Sequence, residues 1–440
     1  MSILASDNHN SLIGPTHHHL PEFPTEIWLL IFRWATWAPD VLDPVRSHDF
    51  TRGPPLREQG PVKASLATKI QLVLVCKRWN ALASQYLYES ILLNKVGSSQ
   101  NLSNTLDDHK SKRGSFRPLG ECTKRIDIVF ASLCNYMSPL EIAHELERLP
   151  GVFQQLPNLA ILNFSVILSG YCGVQVPGSI LRSIASTCGP RLEAVIWHTH
   201  RLKPPTKDDW LAFITKTPNI KSIRSPTLPF LENNSHESST LGISECQNRP
   251  RLSLLQQLHI PTITELMASG ENGAYYPLDD LPSLRRLTME ARAFEQPSYE
   301  SRILQKYGGS LETLQLIILM LPQRFQQTIN IVTQTCTNLT RLDLSFVHFQ
   351  IMQVAPLPQT IEVLGLKCEC RHIDEHTWLS IFDVLWKIGN GHKKLKSIQF
   401  LYEANIQELR GRHWKKVVTV VRKLQTDLNI DVHDHMGRPM

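Results

Sequence analysis

Cys368, Cys370, His372 and His376, in the stretch CECRHIDEH, come nearest to a metal cluster in this 440-residue chain. Structural zinc takes four ligands, usually as two pairs with short internal gaps. No second pair accompanies these four, and Cys368 stands where an apolar strand pattern ends, so they read as strand-end and loop residues. His198 and His200 (WHTH) also close a strand pattern and read as surface histidines. Cys76 falls on an apolar helical stripe, where a thiol acts as a small hydrophobe rather than a nucleophile. The triplet His17, His18 and His19 sits in a polar tail over residues 1–19 that reads as disordered. No phosphate-binding glycine loop and no G-x-S-x-G elbow occurs in a strand–turn–helix setting. Catalytic residues, metal ligands and cofactors are therefore all assigned as none.

Composition agrees with a soluble, folded protein rather than a disordered one. Hydrophobic residues make up 42% and charged residues 20%, the balance of a globular chain. The net charge of +6 is small and scattered, without the basic stripe that nucleic acid requires. The nine cysteines are odd in number and unpatterned, so no disulfide framework is expected. The first residues lack the basic flank and apolar run of a secretory signal. The longest apolar run, Leu314 to Leu321, falls far short of the ~20 residues of a membrane span. These readings predict a reduced protein of the cytoplasm, the nucleus or both, with neither nucleic acid nor membrane as partner.

The elements that organise the chain lie near its start. Ile27, Leu30, Ile31 and Trp34 fall at i, i+3, i+4 and i+7, which predicts an amphipathic helix with Thr25 as its N-cap. Leu72, Val75, Cys76, Trp79, Leu82, Ala83, Tyr86 and Leu87 recur at steps of three and four between Thr68 and Leu93. That spacing predicts a second helix of about four turns. The proline-rich stretch 39–64 reads as an irregular insertion between them, and the two helices are expected to close on each other. Residues 20–93 thus form one small helical domain, with polar residues 94–120 read as a linker.

PTEIWLLIF at Pro24 to Phe32, followed by VLVCKRWNALASQYLYESILL, resembles the F-box. The matching positions are Pro24, Glu26, Ile27, Ile31, Phe32, Val75, Cys76, Lys77, Trp79 and Leu82. The insertion departs from the compact form and is similar to a variant found among fungal F-box proteins. The resemblance implies that these residues, Lys77 apart, dock on a Skp-type adaptor and through it reach a cullin.

From about residue 121 to 440 an apolar-x-x-apolar-x-apolar unit returns. It begins at Leu159, Leu192, Ile220, Leu255, Leu284, Leu311, Leu339, Ile361 and Leu395, a spacing of roughly 29 residues on average. Turn-forming phrases such as LPNL, TPNI, LPSL, GGSL and CTNL precede many units. Helical spacing fills several gaps, as at Ser179 to Thr187, Asp208 to Lys216, Arg324 to Thr335 and Glu375 to Gly389. The polar stretch Leu231 to Pro250 reads as an inserted loop, and a helix on Trp414 to Leu428 with a strand at Ile430 and Val432 reads as a cap. The pattern resembles a degenerate leucine-rich repeat. It departs from that family where Asn or Cys is usual, three residues after the third apolar position: Ile167, His200 and Val347 stand there instead, so no asparagine ladder is expected to tie the turns.

The predicted fold class is α/β, a small N-terminal helical F-box followed by an irregular leucine-rich-repeat-like α/β solenoid. Residues between the buried leucines of each strand point the other way, which makes Asn163, His198, Arg286, Arg341, Asp343, Lys367 and Gln399 candidates for contact with an unknown target protein. The resemblance implies a non-enzymatic substrate-recognition subunit of an SCF-type ubiquitin ligase. The alternative is a leucine-rich-repeat scaffold with no role in ubiquitination.

Overall fold

The computed structural model describes residues 23–38, 41–45, 60–111, 117–131, 138–167, 174–200, 202–224, 252–259, 281–291, 299–318, 322–347, 349, 356–368, 370 and 372–440. The tail at 1–19, most of the 39–64 insertion and the loop at 231–250 lie outside them, and residues 60–64 of that insertion are not irregular but helical. Three helices come first: α1 (Thr25–Ala35), α2 (Gly60–Val75) and α3 (Lys77–Leu87). Twelve strands follow, β1 (Ser90–Leu93), β2 (Arg125–Ala131), β3 (Ile161–Ile167), β4 (Ala194–His200), β5 (Ser222–Arg224), β6 (Gln257–His259), β7 (Arg286–Ala291), β8 (Thr313–Ile318), β9 (Arg341–Phe346), β10 (Val363–Cys368), β11 (Ser397–Phe400) and β12 (Asp431–His433). Among the described residues they form one parallel sheet in strict sequence order, each strand pairing only with its neighbours in the chain. Parallel neighbours need a crossover. Helices supply many of them: α4 (Ser98–Ser111), the single turn α5 (Leu119–Cys122), α6 (Pro139–Phe153), α7 (Gly178–Thr187), α8 (Lys207–Thr215), α9 (Tyr299–Tyr307), α10 (Pro322–Thr335), α11 (Glu375–Gly391), α12 (Glu403–Glu408) and α13 (Trp414–Leu428).

Register explains why the apolar unit repeats. Its second positions form one row across all twelve strands: Ile91, Ile126, Leu162, Val195, Ile223, Leu258, Leu287, Leu314, Leu342, Leu364, Ile398 and Val432. The third positions form a second row that includes Phe164, Trp197, Met289, Leu316, Leu344, Leu366 and Phe400. Both rows are buried against the apolar faces of the crossover helices, such as Ile142, Leu146, Leu149 and Phe153 of α6. Each large side chain so buried contributes roughly 1.5–3 kcal/mol. No single unit covers its own face, and stacking makes the core continuous.

The turns are tied together at the strand entrances. There the carbonyl of Glu89 accepts from the amides of Lys124 and Arg125, that of Lys124 from Ala160 and Ile161, and that of Glu312 from Thr340 and Arg341. In the turn phrases, Asn158 donates to the Glu121 carbonyl at 2.7 Å, Asn219 to Pro190 at 2.6 Å and Asn338 to Gly309 at 2.6 Å. These asparagines tie three separate pairs of turns at the strand entrances and do not run from turn to turn as a ladder. The flanking charges alternate in sign: Lys124 pairs with Glu89 at 2.8 Å, Lys221 with Glu193 at 2.8 Å and Lys396 with Glu362 at 2.8 Å.

Several expectations are corrected. The stripe from Thr68 to Leu93 is not one helix but α2, a break at Cys76, α3 and then β1. The break is extended (Cys76 φ −161°, ψ 169°), and the thiol accepts the Trp79 amide at 3.4 Å as the N-cap of α3. The N-cap of α1 is Pro24, with Thr25 its first helical residue. The stretch read as a linker holds α4, which buries Leu102 and Leu106 in the main core. Strands β1 and β2 extend the repeat upstream of Leu159. Beyond β12, Met440 donates its amide to Val432 at 2.8 Å and Pro439 bridges antiparallel to His433, so this segment lies along the sheet edge.

Candidate docking face on the N-terminal helices

Helices α1 to α3 close around a core of their own, distinct from that of the sheet. Phe32 and Ala83 are fully buried there with Val73, and Trp28, Leu72, Trp79, Leu82, Tyr86 and Leu87 pack around them. The aromatic rings interlock, with Phe32 4.9 Å and Trp28 5.0 Å from Trp79 between ring centres. Polar bonds fix the helices: the Tyr86 hydroxyl donates to the Leu29 carbonyl at 2.9 Å, Ser65 to the Thr36 carbonyl at 2.9 Å and Asn80 to the Val73 carbonyl at 3.1 Å.

This packing uses Trp28 and Phe32 as the inner face of α1 and leaves the other apolar stripe outside. Ile27 is 40%, Leu30 51%, Ile31 41% and Trp34 76% exposed. Phe23 adds to them at one end of α1, Trp37 lies just past the other, and Leu74 and Val75 are exposed at the end of α2. Isolated exposed apolar residues are ordinary, but a run of them along one helix face marks an interaction surface. Of the residues read as docking, Pro24, Glu26, Ile27, Ile31, Val75 and Cys76 are exposed. Trp79 and Leu82 are half-buried, and Phe32 is wholly inside and serves the packing. Leu30 and Trp34 belong to the predicted stripe; Phe23 and Trp37 continue its spacing, four residues before Ile27 and three after Trp34, but lie beyond the helix ends, and Leu74 falls between the positions of the second stripe.

No family model matches this chain, and no curated protein does. Its site must be read from its own geometry. No helix among the described residues is long and apolar enough to cross a membrane.

The second candidate surface is the sheet face opposite the crossover helices. Its candidate contact residues are enclosed to different degrees. Asn163, Asp343 and Lys367 are buried, while His198, Arg286, Arg341 and Gln399 are half-buried. Parallel strands sit about 4.8 Å apart, so long side chains shield short ones in the same row. Asn163 donates to Asp127 at 2.8 Å, and Asp127 in turn receives a bidentate grip from Arg125 at 2.7 and 2.8 Å. Arg125 also reaches the Val41 carbonyl at 2.8 Å, binding the sheet to the segment after α1.

Three of the predicted contacts are brought together on β9 and β11. Arg341 holds Asp343 at 3.0 and 3.1 Å and crosses β10 to Gln399 at 3.0 Å. The crossing is possible because Gly365 stands between Asp343 and Gln399 in register. A Cβ there would overlap the Asp343 carboxylate and lie 2.9 Å from Leu401 Cδ1.

The remaining chemical candidates do not assemble. Cys368 is buried and its thiol donates to the Val347 carbonyl at 3.5 Å, while the Cys370 thiol donates to the His372 carbonyl at 3.2 Å. His372 faces Glu408 at 3.6 Å. Among the described residues no three His, Cys, Asp or Glu side chains are grouped to hold a metal ion.

Proposed function

We propose that this chain is a substrate-recognition subunit of an SCF-type ubiquitin ligase. In this reading α1 to α3 are an F-box that docks on a Skp-type adaptor and through it a cullin. The ordered sheet behind them is a leucine-rich-repeat-like solenoid that holds a target protein, in the cytoplasm or nucleus. The chain itself catalyses nothing and acts by proximity and orientation. The observation that carries the reading is the exposed stripe Ile27, Leu30, Ile31 and Trp34, beside Leu74 and Val75. A helix whose one side packs on Trp79 and whose other side is equally apolar is built to be covered on both.

The test is co-purification of the full chain with a Skp-type adaptor. Ile27→Glu with Ile31→Glu should abolish it while circular dichroism and thermal melting stay unchanged, because both side chains are exposed. A folded wild-type chain that binds no such adaptor sinks the proposal and leaves the scaffold reading.

A further inference from the structure

A cleft of about 900 Å³ opens between the N-terminal helices and the entrances of the first strands. Trp37, Val41, Pro44 and Val45 are its apolar lining; Lys69, Ser90, Lys124 and Lys221 line it too, with the carboxylates Asp43, Glu89 and Glu193. Its size falls within the range of small-molecule sites. The cations at the strand entrances are already answered, Lys124 by Glu89 and Lys221 by Glu193, each at 2.8 Å.

Lys69 is different. It projects from α2, is 3% exposed, and makes no hydrogen bond or ion pair with any described residue. Burial pushes its ammonium below the ordinary lysine value, Glu89 opposes that and Lys124 adds to it. Ser90, in the same lining and 4% exposed, has a hydroxyl with no hydrogen-bond partner either. The other hydroxyls of the lining do have partners: Thr36 donates to the Phe32 carbonyl, Ser65 to Thr36 and Tyr86 to Leu29. Burying an ammonium is costly, and Glu89, already bonded to Lys124, offsets only part of that for Lys69; with the Ser90 hydroxyl it leaves two donors beside one cleft without a hydrogen-bond acceptor.

We infer that this cleft binds a small amphipathic oxyanion, a phosphate monoester or a carboxylate with an apolar body, whose charged group meets Lys69 and Ser90. The apolar lining at Trp37, Val41 and Val45 takes the body of the ligand. The site uses none of the stripe on Ile27, Leu30, Ile31 and Trp34, so it stands whether or not that stripe docks on an adaptor.

The experiment is calorimetric titration of the full chain with phenyl phosphate, with benzoate and with phenol as the uncharged control. Saturable binding of either oxyanion, without binding of phenol, is expected; which of the two binds more tightly identifies the headgroup. Hydrogen bonds to a charged group set the scale, so Lys69→Met should weaken binding by about tenfold to a hundredfold. Ser90→Ala should weaken it less, and Lys415→Met, at an exposed position on α13, should leave it unchanged. Without ligand, Lys69→Met should melt at or above the wild-type temperature, since the cost of burying its ammonium outweighs the pull of Glu89. Should that variant fail to fold, Ser90→Ala alone decides, by weakening the oxyanion or not. Absence of saturable oxyanion binding, equal binding of phenol, or undiminished binding by a folded Lys69→Met chain overturns the inference.

Discussion

Phe32 and Trp34 stand two residues apart on α1 and should separate folding from docking. Phe32 is fully buried against Trp28 and Trp79, so Phe32→Ala should cost about 3–5 kcal/mol. That loss falls on a core separate from the sheet, so α1 to α3 should melt in an earlier step while the sheet transition stays. Trp34 is 76% exposed, so Trp34→Ala should change stability by no more than about 0.5 kcal/mol. A tryptophan presents up to about 250 Å², so about 190 Å² of this one is open. Covering that area is worth at most about 5 kcal/mol at 25 cal/mol per Å². Hot-spot losses on truncation are typically about 2–4 kcal/mol, or about 30- to 1000-fold in Kd. Melting followed by amide exchange, together with titration of a Skp-type adaptor, reads both quantities. If Trp34→Ala melts as early as Phe32→Ala, or if adaptor affinity survives it, the division of α1 into an inner and an outer face is wrong.

Three further outcomes follow from buried polar groups. Arg125→Met alone should destabilise the sheet by about 3–5 kcal/mol in urea unfolding because it strands Asp127, and adding Asp127→Leu should restore most of the loss. Asp434 is out of contact with solvent; burial alone would raise its pKa, but bonds from Arg438 and the Met436 amide outweigh it and hold the carboxyl below the usual range. Its folded pKa is depressed, so its stabilisation is present above the ordinary carboxylate range and fades as pH falls through it and below; amide exchange at Val432 and Met440 should quicken there, and Asp434→Asn should flatten that limb. Burial pushes the Cys188 thiol up to about 12, so iodoacetamide near neutral pH should label exposed Cys76 and spare Cys188 until the sheet unfolds.

The repeating sheet was legible from Leu159 onward because a single physical demand, a buried row on each face of a turn, recurs at fixed positions. It was illegible at β1 and β2 for a definite reason. Where later units place Leu or Ile two residues before the strand, these place Tyr88 and Thr123, so the opening of the unit is missing. The alternation Ile126, Ile128, Phe130 was still there to be read. The break at Cys76 carries no glycine or proline, and a one-residue interruption keeps the spacing of the stripe nearly intact, so periodicity ran through it. On α1 the sequence offers two apolar faces, and spacing alone could not rank Trp28 and Phe32 above Ile27 and Ile31. The burial of Asn163, Asp343 and Lys367 among the candidate contact residues has no signature within any one strand, because the shielding comes from the neighbouring strands.

The strict order of the sheet bears on how the protein comes into being. Every strand pairs with those before and after it in the chain, so nothing made early must wait for a distant partner. Such local wiring favours rapid assembly, and it lets each unit be laid down on the last as it leaves the ribosome, with α1 to α3 and β1 as the template. Pulled from its C-terminal end, the same molecule should come apart in reverse, one strand and crossover at a time, as a staircase of small force drops rather than one rupture.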